Sequence, residues 1–156
     1  MGIGESFGEA YSKAQMGTGL TIPKSGRAFI SVRDVDRGRV LHVAEELIQL
    51  GFKLVATRGT ARVLQAGGLE VDVVNKVVEG RPHIVDMIKN DEVQLIVNTT
   101  EGKQAIKDST SIRRSAENRS VYCTTTLAGG EAVCVALRFG SNHQVKHLQE
   151  LHGGLK

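Results

Sequence analysis

Beyond residue 26 the chain alternates short runs of aliphatic and β-branched residues with longer stretches whose apolar positions recur at helical spacing. Uninterrupted apolar runs suit strands buried on both faces, whereas the 3.6-residue period suits helices that lay one stripe on a sheet. Five strands are predicted, at Ala28–Arg33, Lys53–Thr57, Glu70–Asn75, Gln94–Thr99 and Val121–Thr125. Helices are predicted near Arg37–Leu50, Thr60–Ala66, Ile84–Asn90, Gln104–Asn118 and Gly130–Arg138, with a polar last helix near Asn142–Leu151. In the first helix Val40, Leu41, Val43, Ala44, Leu47, Ile48 and Leu50 form the stripe, and Gly51 ends it.

A chain that alternates strand and helix, joined by right-handed crossovers, gives an α/β fold: three-layer, doubly wound, around a five-stranded parallel sheet. Ligands of such sheets lie beyond the carboxyl ends of the strands, so function is expected in the strand-to-helix loops. Residues 1–25 break the pattern. Gly-rich, with Lys13 and Lys24, they are expected to be a loosely packed or partly disordered connector to the domain at 26–156.

A length of 156 residues fits one domain, and 40% hydrophobic residues with no Trp describe an aliphatic core. Twenty basic residues against seventeen acidic ones give +3 without a Lys/Arg block, which argues against nucleic acid and leaves small anions as ligands. No apolar run approaches the roughly 20 residues of a membrane helix. Cys123 and Cys134 sit in apolar runs and no secretory segment is visible, so buried, reduced thiols in a cytoplasmic protein are expected. The pair lacks metal-site spacing, and His143 with His147 lacks the glutamate of a zinc-hydrolase motif; no metal is expected.

Candidate chemistry gathers in the loops. Thr57 ends a strand and Thr60 opens a helix, so two hydroxyls and the free amides of a first helical turn converge where an anion is favoured, with Gly59 allowing close approach. A plain capping role for Thr60 is the competing reading. Lys76 follows the third strand; Asn98, Thr99 and Thr100 close the fourth; Ser31 and Arg33 follow the first. Arg37 falls in the first turn of a helix, an unfavourable place for a cation unless an anion offsets it. Four loops supplying donors and cations on one edge point to a phosphorylated ligand, although neither GxxxxGK[ST] nor GxGxxG occurs. Asp34, Asp36, Asp72, Asp86 and Asp108 are the nearby acids, and none has an obvious partner in the sequence that would mark a catalytic base.

The stretches "SVRDVDRGRV", "LIQLGFKLVATRGTARVL", "VNKVVEGRPHIVDMIKN", "LIVNTTEGKQAIKDSTSIRRSA" and "TTLAGG" closely resemble the C-terminal allosteric, methylglyoxal-synthase-like domain of the bacterial carbamoyl-phosphate synthetase large subunit. "SFGEAYSKAQ" is similar to the linker before that domain, so the chain is expected to be an excised C-terminal fragment. The resemblance implies a regulatory domain without a catalytic step or cofactor of its own. It would bind UMP as inhibitor, or IMP, and control ATP- and glutamine-dependent carbamoyl phosphate synthesis for pyrimidines and arginine. The parent ligase would use ATP with Mg and K. Its partners would be the remaining large-subunit domains, the glutaminase small subunit and further copies of itself in a homo-oligomer.

By the same resemblance Arg37, Thr57, Thr60 and Lys76 would contact phosphate, and Ser31, Asn98, Thr99, Thr100, Asp108, Ser109 and Ile112 would contact ribose and base. Arg37 stands where the best-known members carry Lys, which keeps the charge but changes the donor geometry. Thr124 stands where ornithine-activated members carry Asp, which argues against ornithine activation. The alternative is a methylglyoxal-synthase-type phosphate lyase, for which Glu79 would have to supply the carboxylate base.

Overall fold

A computed structural model describes residues 1–100, 103–140, 145 and 147–153, without the side chains of 103–105, 108 and 151. Five strands, β1 (Gly26–Ser31), β2 (Phe52–Thr57), β3 (Asp72–Val74), β4 (Leu95–Asn98) and β5 (Tyr122–Thr124), form one all-parallel sheet in the order β3-β2-β1-β4-β5. The expected fold class is therefore correct. The sequence overextends the edge strands, since β3 and β5 are three residues each and pair on one side only.

Seven α-helices are described: α1 (Phe7–Met16), α2 (Arg37–Gln49), α3 (Arg58–Ala66), α4 (Ile84–Lys89), α5 (Lys103–Asn118), α6 (Leu127–Phe139) and α7 (Leu148–Gly153). Side chains alternate across the strands and so divide the interior into two cores. Ala28 and Ile30 of β1, Leu54 and Ala56 of β2 and Leu95 and Val97 of β4 meet α2, α3 and α6 on one face. Phe29, Val55 and Ile96 meet Ile84, Val85 and Ile88 of α4 and Ile112 and Ala116 of α5 on the other. These helical residues recur at three- and four-residue spacing, which is why each helix can bury a single stripe.

Local signals explain several boundaries. Gly51, at φ +91°, follows the last turn of α2, and its amide returns to the Ile48 carbonyl at 2.9 Å. Helix α6 starts three residues earlier than expected because the Thr126 hydroxyl caps it, accepting from the Gly129 amide at 3.0 Å. The expected last helix is found only as α7, and the residues between Gly140 and Val145, His143 among them, lie outside the described set.

The N-terminal expectation needs correction. Residues 7–16 form a capped helix that packs on α6, with the Ser6 hydroxyl accepting from the Glu9 amide at 3.2 Å. Gly8 is buried where a Cβ would come within 2.9 Å of the Val135 carbonyl oxygen, and the Tyr11 and Tyr122 hydroxyls meet at 3.1 Å. Composition suggested looseness because the glycines flank the helix and, at position 8, serve close packing.

Candidate functional site

The chain leaves β1 toward β2 on one side, and β4 lies on the other, so loops at the carboxyl ends of β1 and β4 diverge at the switch point of the sheet. A cavity of about 330 Å³ opens there. Its walls come from all four loops that the sequence singled out: Ser31–Asp34 and Arg37 after β1, Thr57, Gly59 and Thr60 after β2, Lys76 after β3, and Asn98–Thr100 after β4. Ser109 and Ile112 of α5 complete one side. The structure thus brings Arg37, Thr57, Thr60, Lys76, Ser31, Asn98, Thr99, Thr100, Ser109 and Ile112 together; the Asp108 side chain lies outside the described residues.

Helix α3 begins at Arg58, and Thr57, not Thr60, occupies its N-cap position. Thr57 makes no side-chain capping bond, so the first-turn amides of α3 receive no oxygen from it and keep their positive end toward the cavity. Thr60 is nearly inaccessible, and its hydroxyl oxygen accepts the Val32 amide at 3.1 Å. That bond ties the β1 loop to α3 and leaves the Thr60 proton to donate. Thr57 Oγ1 lies 3.3 Å from Ser31 Oγ and 3.4 Å from Thr60 Oγ1, long for O–H···O bonds and easily exchanged for a better acceptor.

The remaining polar groups divide into committed and uncommitted. Asn98 Nδ2 donates to Ser109 Oγ at 3.2 Å, both buried, fastening the end of β4 to α5. Thr99 Oγ1 accepts the Arg33 amide at 3.0 Å, while its own amide donates to the Ser31 carbonyl at 2.9 Å. Thr99 is therefore a clamp between the β1 and β4 loops. Lys76 is exposed and its ammonium has no hydrogen bond or ion pair among the described residues. Its backbone amide donates to Glu79 Oε2 at 2.8 Å, which fixes the turn that carries it.

Three of the five acids, Asp34, Asp36 and Asp86, have partners. Arg37 Nη2 bonds Asp34 Oδ1 at 2.7 Å, Arg33 Nε bonds Asp36 Oδ2 at 2.9 Å, and Asp86 pairs with His83 and Arg81. Three of these pairs are three residues apart, a spacing that puts the partners on one side of a helical turn and could have been read from the sequence. Asp34 thus offsets part of the Arg37 charge from within the chain. Burial pushes the Asp36 carboxyl up, but hydrogen bonds from Arg33 and Thr99 and the charges of Arg33 and Arg39 outweigh it and hold the group below its ordinary value. Gly59 has a definite role: a Cβ there would lie 3.0 Å from Arg37 Nη2, so the missing side chain admits the guanidinium against the start of α3. Arg37 Nε is buried without a partner among the described residues.

The cysteines lie elsewhere. Burial pushes Cys123 up to about 11 and Cys134 up to about 12, and both are free thiols. No described helix is long and apolar enough to cross a membrane.

The profile of the MGS-like domain family matches residues 39–125, which include β2, β3, β4 and most of the cavity loops. The chain belongs to the MGS-like domain family. Over its full length this MGS-like domain is 63% identical to the carbamoyl phosphate synthase large chain of Pseudomonas putida and 59% identical to that of Pseudomonas aeruginosa. It is 54% identical to the large chain of Xanthomonas campestris. In each case it spans 14% of the relative's length. Positions 31–37, which precede the family match, still line the cavity and lie within the span shared with these large chains.

Proposed function

We propose that this MGS-like domain is the nucleotide-sensing regulatory part of a carbamoyl phosphate synthase large chain, and that UMP or IMP binds in the cavity beyond β1, β2 and β4. The observation that carries the reading is the gathering of the α3 N-terminus, the Thr57 and Thr60 hydroxyls, the Arg37 guanidinium and the Lys76 ammonium around one cavity. A phosphate monoester is complementary to that set: it accepts from the amides and hydroxyls and its charge is met by two cations. Ser31, Asn98, Thr99, Thr100, Asp108, Ser109 and Ile112 are the ribose and base contacts of this reading, and Thr99 also holds the β1 and β4 loops together.

The rest of the enzyme follows as part of the proposal. The parent ligase uses ATP with Mg and K, works with its other large-subunit domains and a glutaminase subunit, and supplies carbamoyl phosphate for pyrimidines and arginine in the cytoplasm. The nucleotide acts by favouring one arrangement of those domains over another.

Calorimetric titration of the domain with UMP and IMP tests the site. Heat of binding with at least one of them, lost in Lys76→Ala, is expected; no heat from either at millimolar concentration refutes the reading. The lyase alternative finds less support, because Glu79 is bonded to the Lys76 amide and is not part of the cavity wall. Methylglyoxal release from dihydroxyacetone phosphate would reinstate it.

A further inference from the structure

We infer that Asp34 is a built-in counter-ion that competes with the ligand's phosphate for Arg37, and so is a positioning residue that sets how tightly the cavity holds an anion. This rests on the phosphate-binding reading above. Asp34 Oδ1 lies 2.7 Å from Arg37 Nη2, yet its own side chain is 81% exposed, on the short turn Asp34–Asp36 at the cavity rim. The other end of the story is at Gly59, where the same Nη2 lies against the start of α3. One nitrogen therefore serves both the carboxylate and the place where helix amides face the cavity. Arg37 Nε, buried and without a partner among the described residues, is a second donor.

A phosphate arriving at the α3 N-terminus meets a guanidinium already neutralised by Asp34. It competes with Asp34 for that nitrogen, turns the exposed carboxylate out into water, and in return can engage Nε. Asp34 swings free at little cost because it has no burial to lose. Arg33 and Asp36 face the same rim but are bonded to each other, so they do not replace Asp34 in this exchange.

The test is a titration of UMP into the wild-type domain and four variants. Asp34→Asn is expected to tighten binding about two- to fivefold, the range for release of one exposed ion pair. Glu70→Gln removes the same charge at the opposite end of the sheet and is expected to leave binding unchanged. The gain is expected to vanish when Asp34→Asn is combined with Arg37→Gln and compared with Arg37→Gln alone. A second readout is the Arg37 Nε–H resonance, identified by its loss in Arg37→Gln, which should move on addition of UMP. Binding unchanged or weakened in Asp34→Asn, a gain that persists without Arg37, or an Nε resonance unmoved by saturating UMP each overturns the inference while leaving nucleotide binding intact. If neither wild type nor Asp34→Asn binds UMP or, in the same titration, IMP, the nucleotide reading falls first and this one with it.

Discussion

Thr57 and Thr60 both face the cavity, but their hydroxyls do different work, and replacing each by Val separates the two. Thr60 is 1% exposed and its oxygen is the acceptor for the Val32 amide at 3.1 Å. Valine keeps the shape and removes that acceptor, leaving a buried N–H without a partner. Such a loss costs about 1–3 kcal/mol. In a chain of this size that lowers the thermal midpoint by roughly 2–12 °C. Thr57 Oγ1 makes only the 3.3 and 3.4 Å contacts, so its replacement should cost no more than about 0.5 kcal/mol. Differential scanning calorimetry without ligand should therefore rank wild type and Thr57→Val together, with Thr60→Val clearly below. Repeating the scans with UMP at about 100 times its Kd should raise wild type by about 2.7 kcal/mol and both variants by less. A Thr60→Val protein as stable as wild type, or a Thr57→Val protein as damaged as Thr60→Val, would show that the β1 loop is not held by this bond and would refute the division of labour.

Gly59→Ala places a methyl 3.0 Å from Arg37 Nη2, which the flexible side chain can escape; stability should hold or rise by up to about 1 kcal/mol while UMP binding weakens, read by urea unfolding and calorimetry. Arg138→Ala removes the 2.6 Å partner of the buried Glu46 carboxylate and should destabilise by about 1–3 kcal/mol in urea titration, with wild-type nucleotide binding retained. Tyr11→Phe deletes the hydroxyl contact with Tyr122 and should cost about 0.5–1.5 kcal/mol and make α1 more open to limited proteolysis. Both thiols are raised in the fold, so the unfolded chain loses its protons first. Their contribution is complete below about pH 8.5 and declines as pH rises toward 11 to 12, by about 1.4 kcal/mol per pH unit for each thiol in that window. Urea midpoints between pH 8 and 10 should fall, and a Cys123→Ala, Cys134→Ala protein should lose most of that slope.

Strand placement was legible because buried parallel strands leave continuous apolar runs, and the helices were legible because their stripes must match the sheet. The edge strands were overextended because β3 and β5 each pair on one side, and apolar composition does not report where pairing stops. Helix α1 was missed for a different reason: its glycines looked like flexibility, whereas Gly8 is required by contact with α6, a partner more than a hundred residues away. The cavity loops were found from strand ends alone, since topology brings those ends to one edge. What spacing could not supply was which polar groups were already occupied. Thr60 and Thr99 turn out to be fasteners between loops, and Arg37 already has a neighbour in Asp34.

The cavity floor is shared between the two hydrophobic layers. Val32 belongs to the cluster beneath α2, α3 and α6, whereas Ile84 and Ile112 belong to the cluster beneath α4 and α5. A guest seated there leans on the upper and lower halves of the sandwich together, as a keystone bears on both flanks of an arch. Tightening around it would slow amide exchange in helices on opposite sides of the molecule, with no relay of side chains needed to carry the effect through the sheet.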